Sequence, residues 1–216
     1  VGSAVARALV AEGVTTTISY HQNHERAAAL AADLGVATYA CDARDAAAVE
    51  ALVAEAGDAD ILIHCAGDLD TSAIDALDAA RLEASLSLAR AGYLALRALV
   101  PGWKDGADVV FVGGLDRGQS LPIPVGYAAA QGMLAAMTMA LAKELGPRNV
   151  RVNMVALGLL DAGLSLGLAE KVREDYLAYS ALRRFGTADE VGPSIAWLAV
   201  HNRHLNGKVV PLNGGI

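Results

Sequence analysis

Cysteine is scarce in this chain of 216 residues: Cys41 and Cys65 are its only two. Each closes an expected strand, where a reduced, buried thiol behaves as a small hydrophobe. Clustered Lys and Arg are also missing. The formal net charge is −7, with acids scattered along expected helices, and this excludes a nucleic-acid surface, which needs concentrated positive charge. The charged stretches "KVRED" and "RFGTADE" read as solvated helix faces. Although 54% of the residues are hydrophobic, no run of eighteen or more uncharged apolar residues stands out, so no membrane partner is expected. The first residues, "VGSAVARALVAEG", lack the basic flank and small-residue cleavage site of a secretory signal. A soluble, cytoplasmic protein of one domain, residues 1–216, is the expectation.

What is present is an alternation. Short β-branched runs, "VTTTISY", "ATYACD", "ADILIHCAG", "ADVVFVGG", "VRVNMVAL" and "GKVVPLN", are separated by helical stretches such as "HERAAALAADLG" and "ARDAAAVEALVAEAG". This is the pattern of repeated βαβ units: an α/β protein with a doubly wound parallel sheet and helices on both faces. Several strands are apolar throughout, as strands covered on both faces are. The chain opens on a helix, "VGSAVARALVAE", that leads directly into a strand. A doubly wound sheet has its first strand at the centre, so the expectation is an N-terminal truncation of roughly a dozen residues, a strand and a turn.

Six segments, in order along the whole chain, resemble the short-chain dehydrogenase/reductase family. "VGSAVARALVAEG" is similar to the end of its Gly-rich cofactor turn and the helix that follows, with Gly2 retained. "CDARD" resembles the adenine-contacting Asp segment, and "ILIHCAG" the Asn-Asn-Ala-Gly strand end, with Cys65 in place of the second Asn. "YAAAQ" occupies the place of Tyr-x-x-x-Lys. "RVNMVALG" resembles the Arg-Val-Asn-x-Val-x-Pro-Gly strand, and "LNGKVVPLNGGI" the closing strand. The resemblance implies a Rossmann-like fold that binds a nicotinamide nucleotide at the carboxyl ends of the strands. The implied cofactor-binding residues are Gly2, Tyr20, His21, Gln22, Asn23, Asp42, Ala43, Cys65, Ala66, Gly67, Tyr127, Gln131 and Gly158.

The nucleotide expected is NADP, with NADPH preferred over NADH. NAD-specific members place an acid after the second strand, whereas this chain has "SYHQNHER", without an acid before Glu25. His21, Gln22 and Asn23 offer hydrogen-bond donors and Arg26 a cation for a 2′-phosphate. Asn23 is equally suited to capping the next helix. The closest pattern is that of 3-oxoacyl-[acyl-carrier-protein] and pteridine reductases. In the family's strand order Cys41 and Cys65 stand three strand spacings apart, roughly 14 Å, too far to share a zinc with His64, so no metal is expected.

At the reaction centre the resemblance implies four cooperating side chains, and three differ here. Tyr127 holds the place of the proton-transferring tyrosine. Gln131 replaces the lysine that lowers the tyrosine's pKa, Gly114 the substrate-binding serine, and Leu88 the asparagine. Leu157 and Ala162 replace a proline and a carboxamide-contacting threonine. Ser87, Ser120 and His64 are nearby polar residues with plainer readings as helix, turn or strand-end groups. Loss of a single oxyanion donor costs on the order of 10² to 10³ in rate, so the expectation is an NADP(H)-binding protein with weak or lost hydride transfer. The alternative is a working carbonyl reductase using Tyr127 on a 3-oxoacyl or pterin-like substrate. The segment after the fifth expected strand, "GLLDAGLSLGLAEKVREDYLAYSALRRFG", suggests either an apolar ligand or a packed helix pair. A homodimer or homotetramer is expected through helix 126–146 and the last strand, or a mixed oligomer with an active paralogue.

Overall fold

The computed structural model describes residues 1–104, 106–114 and 121–216; Ser120 lies outside them. Among the described residues six parallel strands alternate with seven helices. The strands are β1 (Thr17–Tyr20), β2 (Ala37–Ala40), β3 (Ile61–His64), β4 (Ala107–Gly113), β5 (Val150–Leu157) and β6 (Val209–Leu212). The helices are α1 (Gly2–Ala11), α2 (His24–Leu34), α3 (Ala46–Ala56), α4 (Ala79–Leu99), α5 (Val125–Leu145), α6 (Glu170–Tyr179) and α7 (Ala188–Val200). Short 3-10 turns occupy 100–102, 146–148 and 163–167.

The expected single sheet is interrupted. β1 pairs with β2 alone, and β3, β4, β5 and β6 form a separate four-stranded sheet in that order. β4 and β5 lie at the middle of the larger sheet, and period-two alternation sends their side chains to opposite layers. Val109 and Phe111 join a core with Leu96 of α4 and Leu134 of α5. Val110 and Val112 join another with Val5 and Leu9 of α1 and Ile195 and Leu198 of α7. Both faces are thereby covered, which is why "VVFV" and "VNMV" carry no polar alternation. Within β5, Asn153 is buried and bonds the Leu205 carbonyl and the Lys208 amide, so it fastens the turn into β6.

Helix starts follow short polar side chains. Asp45 accepts from the Ala47 amide at 2.9 Å, Asp78 from the Arg81 amide at 2.9 Å, and Thr187 and Glu190 form a capping box on α7. Each such cap contributes about 1 kcal/mol. Asn23 sits at the N-cap position of α2, yet its side chain makes no capping bond, which corrects that expectation. The segment Val125–Arg148 corrects another, because its hydropathy of 1.3 and its length reach those of a membrane span. It packs on α4 and β5, and its polar residues Gln131 and Thr138 are buried against the protein.

Candidate functional site

Tyr127 is the third residue of α5 and Gln131 lies one turn further on, so both side chains leave the same helix face. That face meets the carboxyl end of β4. The Gln131 Oε1 accepts from the Gly114 amide at 3.2 Å, and the residue is buried. The carboxamide is thus spent on the strand end, where the resemblance implied a hydrogen bond to ribose. A Cβ built on Gly114 would fall on the Tyr127 hydroxyl, and one on Gly113 would fall on Gln131 Oε1 and the Met154 methyl. The two glycines are therefore what lets both side chains lie against the strand. Gly114 does not have positive φ; the obstacle to a serine there is the tyrosine hydroxyl.

Burial pushes the Tyr127 phenol up to about 12, and among the described residues no charged neighbour offsets it. Leu88, in the asparagine position, is buried in α4. Ser87, also buried, donates to the Ala84 carbonyl at 2.7 Å and so serves its own helix. His64 ends β3 beneath α4, 8% exposed, with its ring edge-on to Phe111 at 6.3 Å between centroids. Gly92 leaves room for it: a Cβ there would lie 3.1 Å from the imidazole. Burial lowers the His64 pKa to about 4, with a hydrogen bond to the Leu88 backbone acting weakly the other way. The imidazole is neutral at physiological pH, and its Nε2 has no partner.

The other implied cofactor residues gather at the carboxyl ends of β1, β2, β3 and β5. Gly2 opens α1 and a Cβ on it would meet the Cys65 Cβ at 3.6 Å, so the helix start and the β3 end adjoin. Burial pushes the Cys65 thiol up to about 11. Ala66 and Gly67 follow, and a methyl of Leu164 comes within 3.4 Å of where a Gly67 side chain would begin. Gly158 donates its amide to the Leu212 carbonyl at 3.0 Å and lies against Asn213. The Tyr20 hydroxyl and His24 Nδ1 are 2.8 Å apart. The Gln22 carbonyl accepts from the His24 amide, and Arg26 is exposed on α2.

His21 is 3.5 Å from the Asp42 carboxylate, so this donor already faces an acid. Beyond Ala43, Arg44 lies 3.8 Å from Asp42 and 2.9 Å from Asp68. Neither Arg44 nor Asp68 was singled out in the sequence, although the alternating charges of "CDARD" at a strand end were a signal. Cys41 and Cys65 belong to different hydrophobic clusters. Among the described residues no three His, Cys, Asp or Glu side chains converge.

Comparison with known proteins fits this architecture. A family profile described as "Enoyl-(Acyl carrier protein) reductase" matches residues 1–216. The cyclic-di-GMP-binding biofilm dispersal mediator protein of Escherichia coli is 27% identical over 92% of this chain and 84% of that protein. A 3-oxoacyl-[acyl-carrier-protein] reductase of Pseudomonas aeruginosa is 40% identical, over 42% of this chain and 37% of its own length. The match therefore spans well under half of that reductase. Among solved structures, a short-chain dehydrogenase/reductase from Serratia marcescens superposes with a TM-score of 0.92 at 25% identity, covering 99% of this chain and 92% of that one. A short-chain dehydrogenase from Burkholderia cenocepacia, in complex with NADP, gives 0.90 at 29% identity with the same coverage. Matched from Val1 to Ile216 by the family profile and along nearly its whole length by these folds, the chain belongs to the short-chain dehydrogenase/reductase family of oxidoreductases, close to the 3-oxoacyl-[acyl-carrier-protein] reductases.

Proposed function

We propose that the chain is a cytoplasmic NADP(H)-binding member of the family in which hydride transfer is weak or lost. It acts as a nucleotide-responsive partner or as the non-catalytic subunit of a mixed oligomer with an active paralogue. The observation that carries this reading is the pairing at α5: Tyr127 has a neutral neighbour, Gln131, whose carboxamide oxygen is held by the Gly114 amide. A phenol raised by burial with no cation beside it among the described residues is a poor proton donor to a carbonyl and a poorer phenolate. Nucleotide binding is supported by the neighbour in complex with NADP. The Escherichia coli mediator protein, a relative with long coverage, is named for binding a nucleotide, cyclic-di-GMP.

The rival reading, a working NADPH-dependent carbonyl reductase on an apolar 3-oxoacyl or pterin-like substrate, is favoured by one observation: Tyr127 keeps its place at the strand end. Titration of the purified protein with NADPH, followed by NADPH consumption with a panel of ketones, separates the two. Saturable binding without turnover is expected. Turnover that falls on Tyr127→Phe would establish the rival, and turnover indifferent to that change would place the chemistry elsewhere.

Assembly as a homodimer or homotetramer belongs to the same proposal. The outer face of α5 presents Ala129, Ala136 and Ala140 with Met139 exposed beside them, and small residues of this kind admit close helix approach. Light scattering across a concentration series is expected to give a multiple of the chain mass; a constant monomer mass would reject it.

A further inference from the structure

The two sheets share no ladder, yet one ion pair joins the loops above them. Arg44 stands in the loop from β2 to α3, on the two-stranded side. Asp68 stands in the loop from β3 to α4, on the four-stranded side. Their charged atoms are 2.9 Å apart. The backbone of Arg44 is held at both ends: its amide donates to Asp42 Oδ1 at 3.0 Å, and its carbonyl accepts from Arg90 Nη2 of α4 at 3.1 Å. α3 and α4 pack on each other through Val49, Ala91 and Cys41, which brings the two loops together. The guanidinium is thus aimed across the interval by a fixed backbone, and less side-chain entropy opposes the pairing than for a free surface arginine.

We propose that Arg44–Asp68 is an ionic strap across the adenosine end of the crevice, which holds a bound dinucleotide by resisting separation of the two loops. The proposal rests on the reading that this crevice binds a nicotinamide nucleotide. Asp42 cannot substitute for Asp68, because it lies on the same side as Arg44, and a pair made there bridges nothing. His21, on the far side of Asp42, keeps that carboxylate partly engaged. Both strap side chains are more than two-fifths exposed, so the strap tunes retention and does not create it. In an exposed pair of this kind the expected loss is about two- to fivefold.

The test is the dissociation rate of NADPH, followed by its fluorescence after displacement, in the wild type, Arg44→Ala, Asp68→Ala and the double variant. Each single change is expected to speed dissociation about two- to fivefold, and the double variant no further than either single, because both remove the same link. Raising ionic strength from about 0.05 to 0.5 M should shrink the gap between wild type and variants as the pair is screened. Wild-type rates in the single variants, additive effects in the double, or a gap indifferent to salt would each overturn the strap. Failure of the wild type to bind NADPH at all would overturn the nucleotide-binding reading and the strap with it.

Discussion

The two ends of the crevice are built from opposite materials. At the adenosine end, His21, Asp42, Arg44 and Asp68 form a chain of charged contacts on loops between the two sheets. At the end proposed for the nicotinamide, Tyr127, Gln131, Gly114, Leu88 and His64 bring no charge; the Gln131 oxygen is tied to backbone, and the His64 Nε2 has no partner among the described residues. Charged groups at the first end can recognise and retain an anionic nucleotide. Neutral, buried groups at the second cannot stabilise the charge that develops when a proton and a hydride move. Under the proposed function, the contrast is that of a site furnished for binding and stripped for chemistry.

The sharpest way to break this contrast is to restore charge at the neutral end. The double substitution Gln131→Lys with Gly114→Ser should raise NADPH-dependent ketone reduction from background by about 10² or more, and either change alone should do little, since groups acting as a unit are non-additive. Adding Tyr127→Phe should abolish the gain. Because the Gly114 side-chain space holds the Tyr127 hydroxyl, Gly114→Ser requires a local shift of the phenol and should by itself destabilise the fold by about 1–3 kcal/mol in chemical denaturation.

Protonation tests the same neutrality. His64 titrates near 4 in the folded protein against 6.5 for an ordinary histidine. Between those values the unfolded chain takes up a proton that the native chain refuses, so stability falls as pH drops through that window. The slope is about 1.4 kcal/mol per pH unit at most. Stability measured by urea unfolding at pH 7 and pH 5 should differ less in His64→Leu than in the wild type. An unchanged pH dependence in the variant would show that the buried imidazole is not its source.

A smaller effect is expected at the charged end. NADPH should bind more tightly than NADH, and replacing His21 or Arg26 with Asp should narrow the preference by about tenfold or reverse it, because a carboxylate repels the 2′-phosphate and favours a free 2′-hydroxyl. Equal titration curves for both nucleotides in the unmodified protein would remove the basis for the preference. The acid already beside His21, Asp42, makes this the more delicate of the comparisons.

Much of the fold was legible because its signals are local. The "ADVVFVGG" and "VRVNMVAL" runs became β4 and β5, and the helix expected over 126–146 appears as Val125–Leu145. Strand lengths were less legible: "VTTTISY" shortens to Thr17–Tyr20, since pairing with β2 sets where a strand begins. Asn23 illustrates the limit of local chemistry, for the residue type favours a cap and the backbone placed it at one, yet the side chain makes no capping bond. The pairing of Tyr127 with Gln131 was readable from their spacing of four. What Gln131 bonds was not, because the Gly114 amide lies seventeen residues away and reaches it only through the packing of α5 on β4.

Periodicity and residue type alone therefore set the class of fold and the position of Tyr127 at a helix start, and the family resemblance implied that its lysine partner is replaced by Gln131, since each depends on the identity of a residue or its near neighbours. Three features exist only in the folded molecule: the neutral burial of His64, the tyrosine hydroxyl in the space of the missing serine, and the Arg44–Asp68 link. Their partners are distant in sequence, and hydrogen bonding, desolvation and Coulomb attraction act over a few ångströms in space. No pattern along the chain encodes that proximity until the helices close on the strands.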